Sequence, residues 1–391
     1  MIGHIGELDR LHPDMVRWRR HLHRHPELSF QERDTADFIA GRLAEWGIPV
    51  RRGFAGHAVL GVLEGVRPGP AVALRADIDA LPIQDEKTCD YASRVPGVMH
   101  ACGHDAHAAQ LLALAKWFAS RRGELAGTLL FLFQHAEETA PGGAEEVLAS
   151  GVLDGASAIF GVHLWTPFET GHVYGAEGPV MAAADEFSIT VRGMGGHGGV
   201  PHEARDPIAA AAHIVTALQT VVSRSVDPLR PAVVTVGMIE GGSTFNIIPD
   251  ICRMKGTVRS FSEEDRRGME RRIRDIATLT AKAHGTEADV VYHWGYPPLV
   301  NHEREIRRFR RVAAQLFGEE RVHRMNPLMV GEDFSRYLER MPGAFLFVGA
   351  GNRDAGIVHP HHHAKFDIDE RAMAMAAKLL AGLALDALQG G

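Results

Sequence analysis

The stretch TLLFLFQHAEET (128–139) holds the decisive contrast of this chain: Leu129 to Phe133 are apolar without interruption, and two carboxylates, Glu137 and Glu138, follow directly. A strand that faces water on one side alternates polar and apolar residues, whereas one that is apolar throughout is covered on both faces. Outward from it, AVLGVLEG (58–65), AVALRADI (71–78) and AIFGVHL (158–164) repeat the pattern, separated by helical stretches at 105–122 and 142–150. Two helices open the chain over 14–25 and 30–46, where Phe30, Ala36, Phe38, Ile39, Leu43 and Trp46 recur at helical spacing and Pro26 and Gly47 supply the breaks. The alternation predicts an α/β fold, a mixed sheet covered by helices. In such sheets reacting groups gather beyond the carboxyl ends of the strands, where Glu137 and Glu138 fall.

From residue 184 the pattern changes to strand EFSITVRG, a glycine-rich loop, a helix opening at Asp206-Pro207, strands AVVTVGMI and ICRMKGTVRS, a helix over 262–283 and strand TEADVVYH. Asp206 as N-cap followed by proline is a good helix start. The order βαββαβ predicts an independent α+β domain with two helices on one face of an antiparallel sheet. After Pro297-Pro298 the first domain resumes. The expected organisation is a domain of residues 1–183 and 295–391, interrupted by an inserted domain over 184–294.

At roughly 150 residues per domain, 391 residues provide for two to three domains. Apolar residues make up 45% and charged ones 23%, so a substantial core can form. The net charge is -7, which leaves no global positive field for a nucleic acid partner. Cys89, Cys102 and Cys252 are too few for a disulfide framework and fit a reducing compartment, the cytoplasm. No signal-peptide core is visible, and the longest apolar runs, such as GTLLFLF (127–133), fall well short of the roughly 18 residues a membrane span needs. The 23 histidines, several of them clustered, direct attention to metal binding.

In MHACGHDAHAAQ (99–110), Cys102 and His104 flank Gly103 just before a helix, so thiolate and imidazole can face one ion across a glycine kink. Alone, the fragment equally suits a reduced half-buried cysteine beside a solvated histidine. Glu137 and Glu138 can divide labour beyond their strand, one binding a cation and the other taking a proton from water. His163 ends the strand GVHLW (161–165), and Asp77 and Asp79 in LRADIDALP (74–82) lie on one face as hydrogen-bond partners for ligating histidines. Periodicity does not choose among the histidines of VHPHHHAKFDID (358–369).

The ordered set RADIDALP, MHACGHDAHAA, QHAEE, GVHLW, GMGGHGGVPHEARDP, GGSTFNIIPD, GEDFS and the late histidine cluster, spread over residues 15–385, resembles the dinuclear metallo-amidohydrolases of the aminoacylase and hippurate hydrolase type. That subgroup contains the auxin-conjugate amidohydrolases and is related to carboxypeptidase G. The resemblance implies a zinc-peptidase-like catalytic domain with an inserted lid or dimerisation domain. It implies that Cys102, His104, Glu138, His163 and His362 hold two divalent ions, with manganese, zinc, cobalt and nickel all admissible. His362 is the late histidine in register, because Phe366 and Asp367 follow at the family spacing. By the same resemblance Glu137 is the general base, His197 steadies the oxyanion from a neighbouring subunit, and Asn246 binds the substrate. The implied reaction is hydrolysis of N-acyl or N-aroyl amino acids by a homodimer or larger homo-oligomer. A dipeptidase or carboxypeptidase using the same metals is the alternative. One departure stands out: His135 replaces the proline common before Ala-Glu-Glu.

Overall fold

The computed structural model describes residues 2–390. In chain order it contains α1 (His12–Arg24), α2 (Arg33–Glu45), β1 (Val50–Arg51), β2 (Val59–Glu64), β3 (Arg67–Asp77), α3 (His104–Ala119), β4 (Ala126–Gln134), α4 (Ala144–Ala149), β5 (Ala156–Glu169), β6 (Val173–Tyr174) and β7 (Gly178–Met181). There follow β8 (Ala183–Arg192), β9 (Gly196–His197), α5 (Pro207–Ser225), β10 (Ala232–Gly241), β11 (Ile247–Ile248), β12 (Ile251–Ser260), α6 (Glu263–Ala283) and β13 (Glu287–Tyr296). The chain ends through β14 (Leu299–Asn301), α7 (Glu303–Phe317), β15 (Val322–His323), α8 (Ser335–Leu338), β16 (Gly343–Gly351) and α9 (Arg371–Leu388).

Two compact units result. The first runs to Gly178, resumes over Val300–Asn326 and again from Asp333; the second comprises Pro179–Leu299 and Pro327–Glu332. These limits lie about five residues outside the boundaries expected from the sequence, 183/184 and 294/295. The segment 327–332 goes with the second unit because Leu328 N–H donates to Val180 O at 2.9 Å and Ala182 N–H to Val330 O at 3.0 Å.

The first unit is built on an eight-stranded mixed sheet in the order β1-β2-β4-β3-β5-β16-β6-β15. β3, β4, β5 and β16 run parallel, and antiparallel pairs close both sides. Along β4, Leu129, Phe131 and Phe133 enter the core shared with Leu111, Leu114 and Phe118 of α3 and Leu380 and Leu383 of α9. The alternate residues Leu130 and Leu132 are also buried on the opposite face, which is why the strand is apolar throughout.

Helix α2 starts at Arg33, three residues later than the apolar spacing predicts, because Phe30 adopts a left-handed backbone with φ 66° and lies exposed. A 3-10 helix over Ile2–Leu11 precedes α1.

The second unit carries a four-stranded antiparallel sheet in the order β10-β12-β8-β13. β8 alternates strictly, and Phe187, Ile189 and Val191 pack with Ile214 and Leu218 of α5 and Ile273 and Ala277 of α6. The Asp206 carboxylate accepts the N–H groups of Ile208 and Ala209, an N-cap worth about 1 kcal/mol. Among the described residues, no helix is long and apolar enough to cross a membrane.

Candidate active site

The ends of two parallel strands, the middle of a third and one helix start converge in the first unit. Asp77 closes β3 in register with Gln134, the last residue of β4, and Glu137 and Glu138 follow within four residues. His163 does not end its strand as expected but lies midway along β5, opposite Phe347 of β16, because the pairing with β16 carries the strand on to Glu169. Gly103 has φ 91°, a left-handed conformation that costs glycine little, and it turns the chain between Cys102 and His104. His362, also left-handed at φ 64°, is tied back when its N–H donates to Ala101 O at 2.8 Å.

The candidate ligand atoms fall into overlapping groups: Cys102 with His104 and His163, Cys102 with Glu138 and His362, and His104 with Glu137 and Glu138, each within 4.8 Å. Cys102 Sγ lies 3.5 Å from His163 Nε2, and His362 Nε2 lies 3.3 Å from Glu138 Oε1. Sharing Cys102, His104 and Glu138 between groups makes room for two cations held by thiolate, imidazole and carboxylate, a donor set suited to borderline divalent metals. His361 does not join them: its Nε2 donates to Leu164 O at 3.0 Å and its ring stacks on Trp165.

Hydrogen bonds set the histidine tautomers, because carbonyl and carboxylate oxygens can only accept. His163 donates from Nδ1 to Leu164 O at 2.9 Å, leaving the Nε2 lone pair toward Cys102. His104 donates from Nδ1 to Asp79 Oδ1 and to Asp79 O, each at 3.1 Å. Its Nε2 is buried with no hydrogen-bond partner among the described residues, and so is Glu138 Oε1. These two atoms face each other at 3.8 Å with His362 Nε2 beside the carboxylate oxygen, an arrangement that a shared cation would satisfy.

Charge points the same way. Burial works against protonating His104, but Asp77, Asp79 and Glu138 outweigh it and hold its pKa at about 10. The carboxylates that would draw a proton to that nitrogen equally draw a divalent ion. Burial, reinforced by Glu138 and Glu137, keeps the Cys102 thiol well above its ordinary range, so its ionisation needs a bound cation. Burial, with His107 and His361 alongside, keeps His163 neutral, the state that ligates.

Asp77 departs from the expected role. Its Oδ1 accepts from His107 Nδ1 at 2.6 Å and stands 3.7 Å from His104, so it orients His107 and only Asp79 directly orients His104. The cause is helical geometry: His107 stands one turn beyond His104 on α3 and reaches the end of β3. Its Nε2 then accepts the N–H of Leu164 at 3.0 Å, which anchors the strand next to His163. Arg75 Nη1 holds the other Asp77 oxygen at 2.5 Å, and its remaining nitrogens bind Gln134 and Asp333. His107 and Arg75 have no assigned role in the sequence reading; the i, i+3 spacing of His104 and His107 was the available signal for the first.

His197 and Asn246 lie in the second unit, where β9 pairs with β11 and Gly198 N–H donates to Asn246 O at 2.9 Å, placing the two exposed residues side by side. His197 Nδ1 accepts from Gly199 N–H at 3.0 Å. His135 is fully buried, with Nε2 3.2 Å from Glu146 Oε2.

A buried cluster of thiol, imidazole and carboxylate donors gathered beside a parallel sheet, with a second carboxylate next to it, is the donor set of a metallohydrolase. Residues 73–386 match peptidase family M20/M25/M40, and the chain belongs to that family. YhaA of Bacillus subtilis (strain 168) is 47% identical over 379 residues, covering 97% of this chain and 96% of YhaA. An N-acyl-L-amino acid amidohydrolase of Geobacillus stearothermophilus is 46% identical over 296 residues, covering 76% of this chain and 80% of that enzyme. The crystal structure of the Bacillus subtilis YXEP protein, described as a dinuclear metal binding peptidase of the M20 family, superposes with a TM-score of 0.85 at 36% identity, over 97% of this chain and 99% of that one. This protein is thus an enzyme of the M20 hydrolase family.

Proposed function

We propose that the enzyme hydrolyses the amide bond of N-acyl or N-aroyl amino acids, hippurate-like conjugates among them, to a carboxylic acid and a free amino acid. The observation that carries the reading is Glu137, buried to 6% exposure, with a carboxylate oxygen grouped with His104 and Glu138. The name of the Geobacillus relative supports the substrate class.

Cys102, His104, Glu138, His163 and His362 would hold two divalent ions, manganese, zinc, cobalt or nickel. When bound, these supply Lewis acidity toward a scissile carbonyl and an attacking water. Glu137 takes the proton from the attacking water and delivers it to the leaving amine nitrogen, a role worth about 10²- to 10⁴-fold in rate. Asp79 keeps His104 in its Nδ1–H tautomer, and His107 fixes the strand bearing His163. His197 would steady the developing oxyanion from a partner subunit, and Asn246 the substrate carboxylate. The second unit then serves as lid and dimerisation domain of a homodimer or larger homo-oligomer working in the cytoplasm.

The test measures amino acid release from hippurate, N-acetyl amino acids, indole-acetyl conjugates and unblocked dipeptides by manganese- or zinc-loaded enzyme. Turnover of blocked substrates that disappears in Glu137→Ala is expected. Turnover of unblocked dipeptides alone would overturn the reading in favour of a peptidase.

A further inference from the structure

Three non-glycine residues among those described adopt positive φ: Phe30 at 66°, Ala136 at 52° and His362 at 64°. His362 belongs to the donor cluster. The other two share one anchor, for Glu32 Oε1 accepts the N–H of Phe30 at 3.0 Å and that of Ala136 at 2.8 Å. Glu32 is wholly buried, and its Oε2 has no hydrogen-bond partner among the described residues. A residue with a Cβ enters the left-handed region at a steric cost, so its surroundings must hold it there.

Ala136 immediately precedes Glu137, and the backbone direction at Ala136 sets where the Glu137 side chain begins. Neighbouring bonds grip the same turn. Ser29 Oγ donates to Asp79 Oδ2 at 2.8 Å, the Glu138 N–H donates to that oxygen at 2.9 Å, and Thr139 Oγ1 donates to Ser29 Oγ at 3.0 Å.

We propose that Glu32 is a positioning residue for the reaction: its carboxylate locks Ala136 in the left-handed turn and thereby aims Glu137. The inference rests on Glu137 acting as the general base. Glu32 occupies the N-cap position of α2 yet makes no side-chain cap bond. Glu27 does that work, with its carboxylate accepting the N–H groups of Asp34 at 3.1 Å and Thr35 at 2.7 Å. Burial, with the Asp79 charge adding, pushes the Glu32 carboxyl up to about 7, an electrostatic cost that helix capping does not explain.

The experiment compares Glu32→Ala, Glu32→Gln, Glu27→Ala and Glu137→Gln with wild type in the metal-loaded enzyme. It reads kcat and KM on the panel substrate turned over fastest, and amide hydrogen exchange at Ala136. In Glu32→Ala we expect kcat to fall at least tenfold, KM to stay within twofold, and Ala136 exchange to accelerate at least tenfold. Glu32→Gln, which keeps an acceptor oxygen, should return kcat to within threefold of wild type. Glu27→Ala should lower Tm while leaving kcat and Ala136 exchange unchanged. If Glu32→Ala does not fold, Glu32→Asp, whose carboxylate is withdrawn by one methylene, replaces it with the same expectations. Equal kcat losses in Glu27→Ala and Glu32→Ala, or unaltered exchange at Ala136, would overturn the proposal. An inactive Glu137→Gln beside a fully active Glu32→Ala overturns this inference alone, whereas a fully active Glu137→Gln overturns the general base and this inference with it.

Discussion

His104 donates from Nδ1 to the Asp79 carboxylate and to the Asp79 carbonyl, each at 3.1 Å, and these two bonds decide which of its nitrogens is left for a cation. Removing the carboxylate leaves the carbonyl as the remaining acceptor and loosens the hold on the ring and its tautomer. Carboxylate partners of ligating histidines are typically worth 10- to 100-fold in metal affinity. Asp79→Ala should therefore weaken zinc binding by about that factor, as read by competition with a chromogenic chelator. Unchanged affinity would remove Asp79 from the site.

Cys102 is predicted to be a ligand rather than a nucleophile. The residue is 8% exposed, and burial and the flanking carboxylates hold its thiol protonated, while His163 at 3.5 Å is too weak a base to ionise it. In metal-free protein at pH 8, iodoacetamide should label the half-buried Cys89 and spare Cys102. Rapid labelling of Cys102 together with activity that resists chelators would identify a thiol hydrolase instead.

The Glu32 carboxyl retains its proton up to about pH 7, against an ordinary value of 4.5. Between those limits the folded chain binds the extra proton, so stability falls as pH rises from 4.5 to 7 and levels off above. At about 1.4 kcal/mol per pH unit the full penalty is of order 3 kcal/mol. Glu32→Gln should thus gain stability over wild type between pH 5 and pH 8, measured from urea midpoints at both. A mutational difference that is the same at the two pH values would contradict this titration.

In the second unit, Asp185 is fully buried and accepts from Arg266 Nε at 2.8 Å and Nη2 at 2.6 Å, from Tyr292 Oη at 3.0 Å and from Gly295 N–H at 2.9 Å. Breaking a buried pair strands the remaining charge. Asp185→Ala should cost about 3–5 kcal/mol, seen as a lowered midpoint in chemical denaturation. A loss below about 1 kcal/mol would mean that water reaches the Arg266 guanidinium and solvates it.

The parallel core was legible because β3, β4 and β5 are long and apolar, and the inserted domain because β8 alternates with period two. The two-residue strands β6 and β15 carry no such signal; their pairing depends on where β16 runs. The late start of α2 was hidden because Phe30 fits a helical apolar stripe while its backbone is left-handed. In the site, local spacing drew attention to Cys102, His104, Glu137 and Glu138. The His107 bond to Leu164 joins residues 57 positions apart, and that of Glu32 to Ala136 spans 104, so neither leaves a local pattern.

The sheet order places β16 between β5 and β6, although the whole second unit separates it from both along the chain. During synthesis, Cys102, His104, Glu138 and His163 therefore emerge from the ribosome while β5 still has an open parallel edge, the kind of surface that pairs wrongly with other chains. The second unit, nearly contiguous in sequence, can complete its own fold in the interval. Only when β16 arrives is that edge closed, and His362 follows it out within a dozen residues. A chain stalled in the last quarter of translation would carry most of the donors on an unfinished sheet, so chaperone dependence and metal capture should both belong to the final moments of its making.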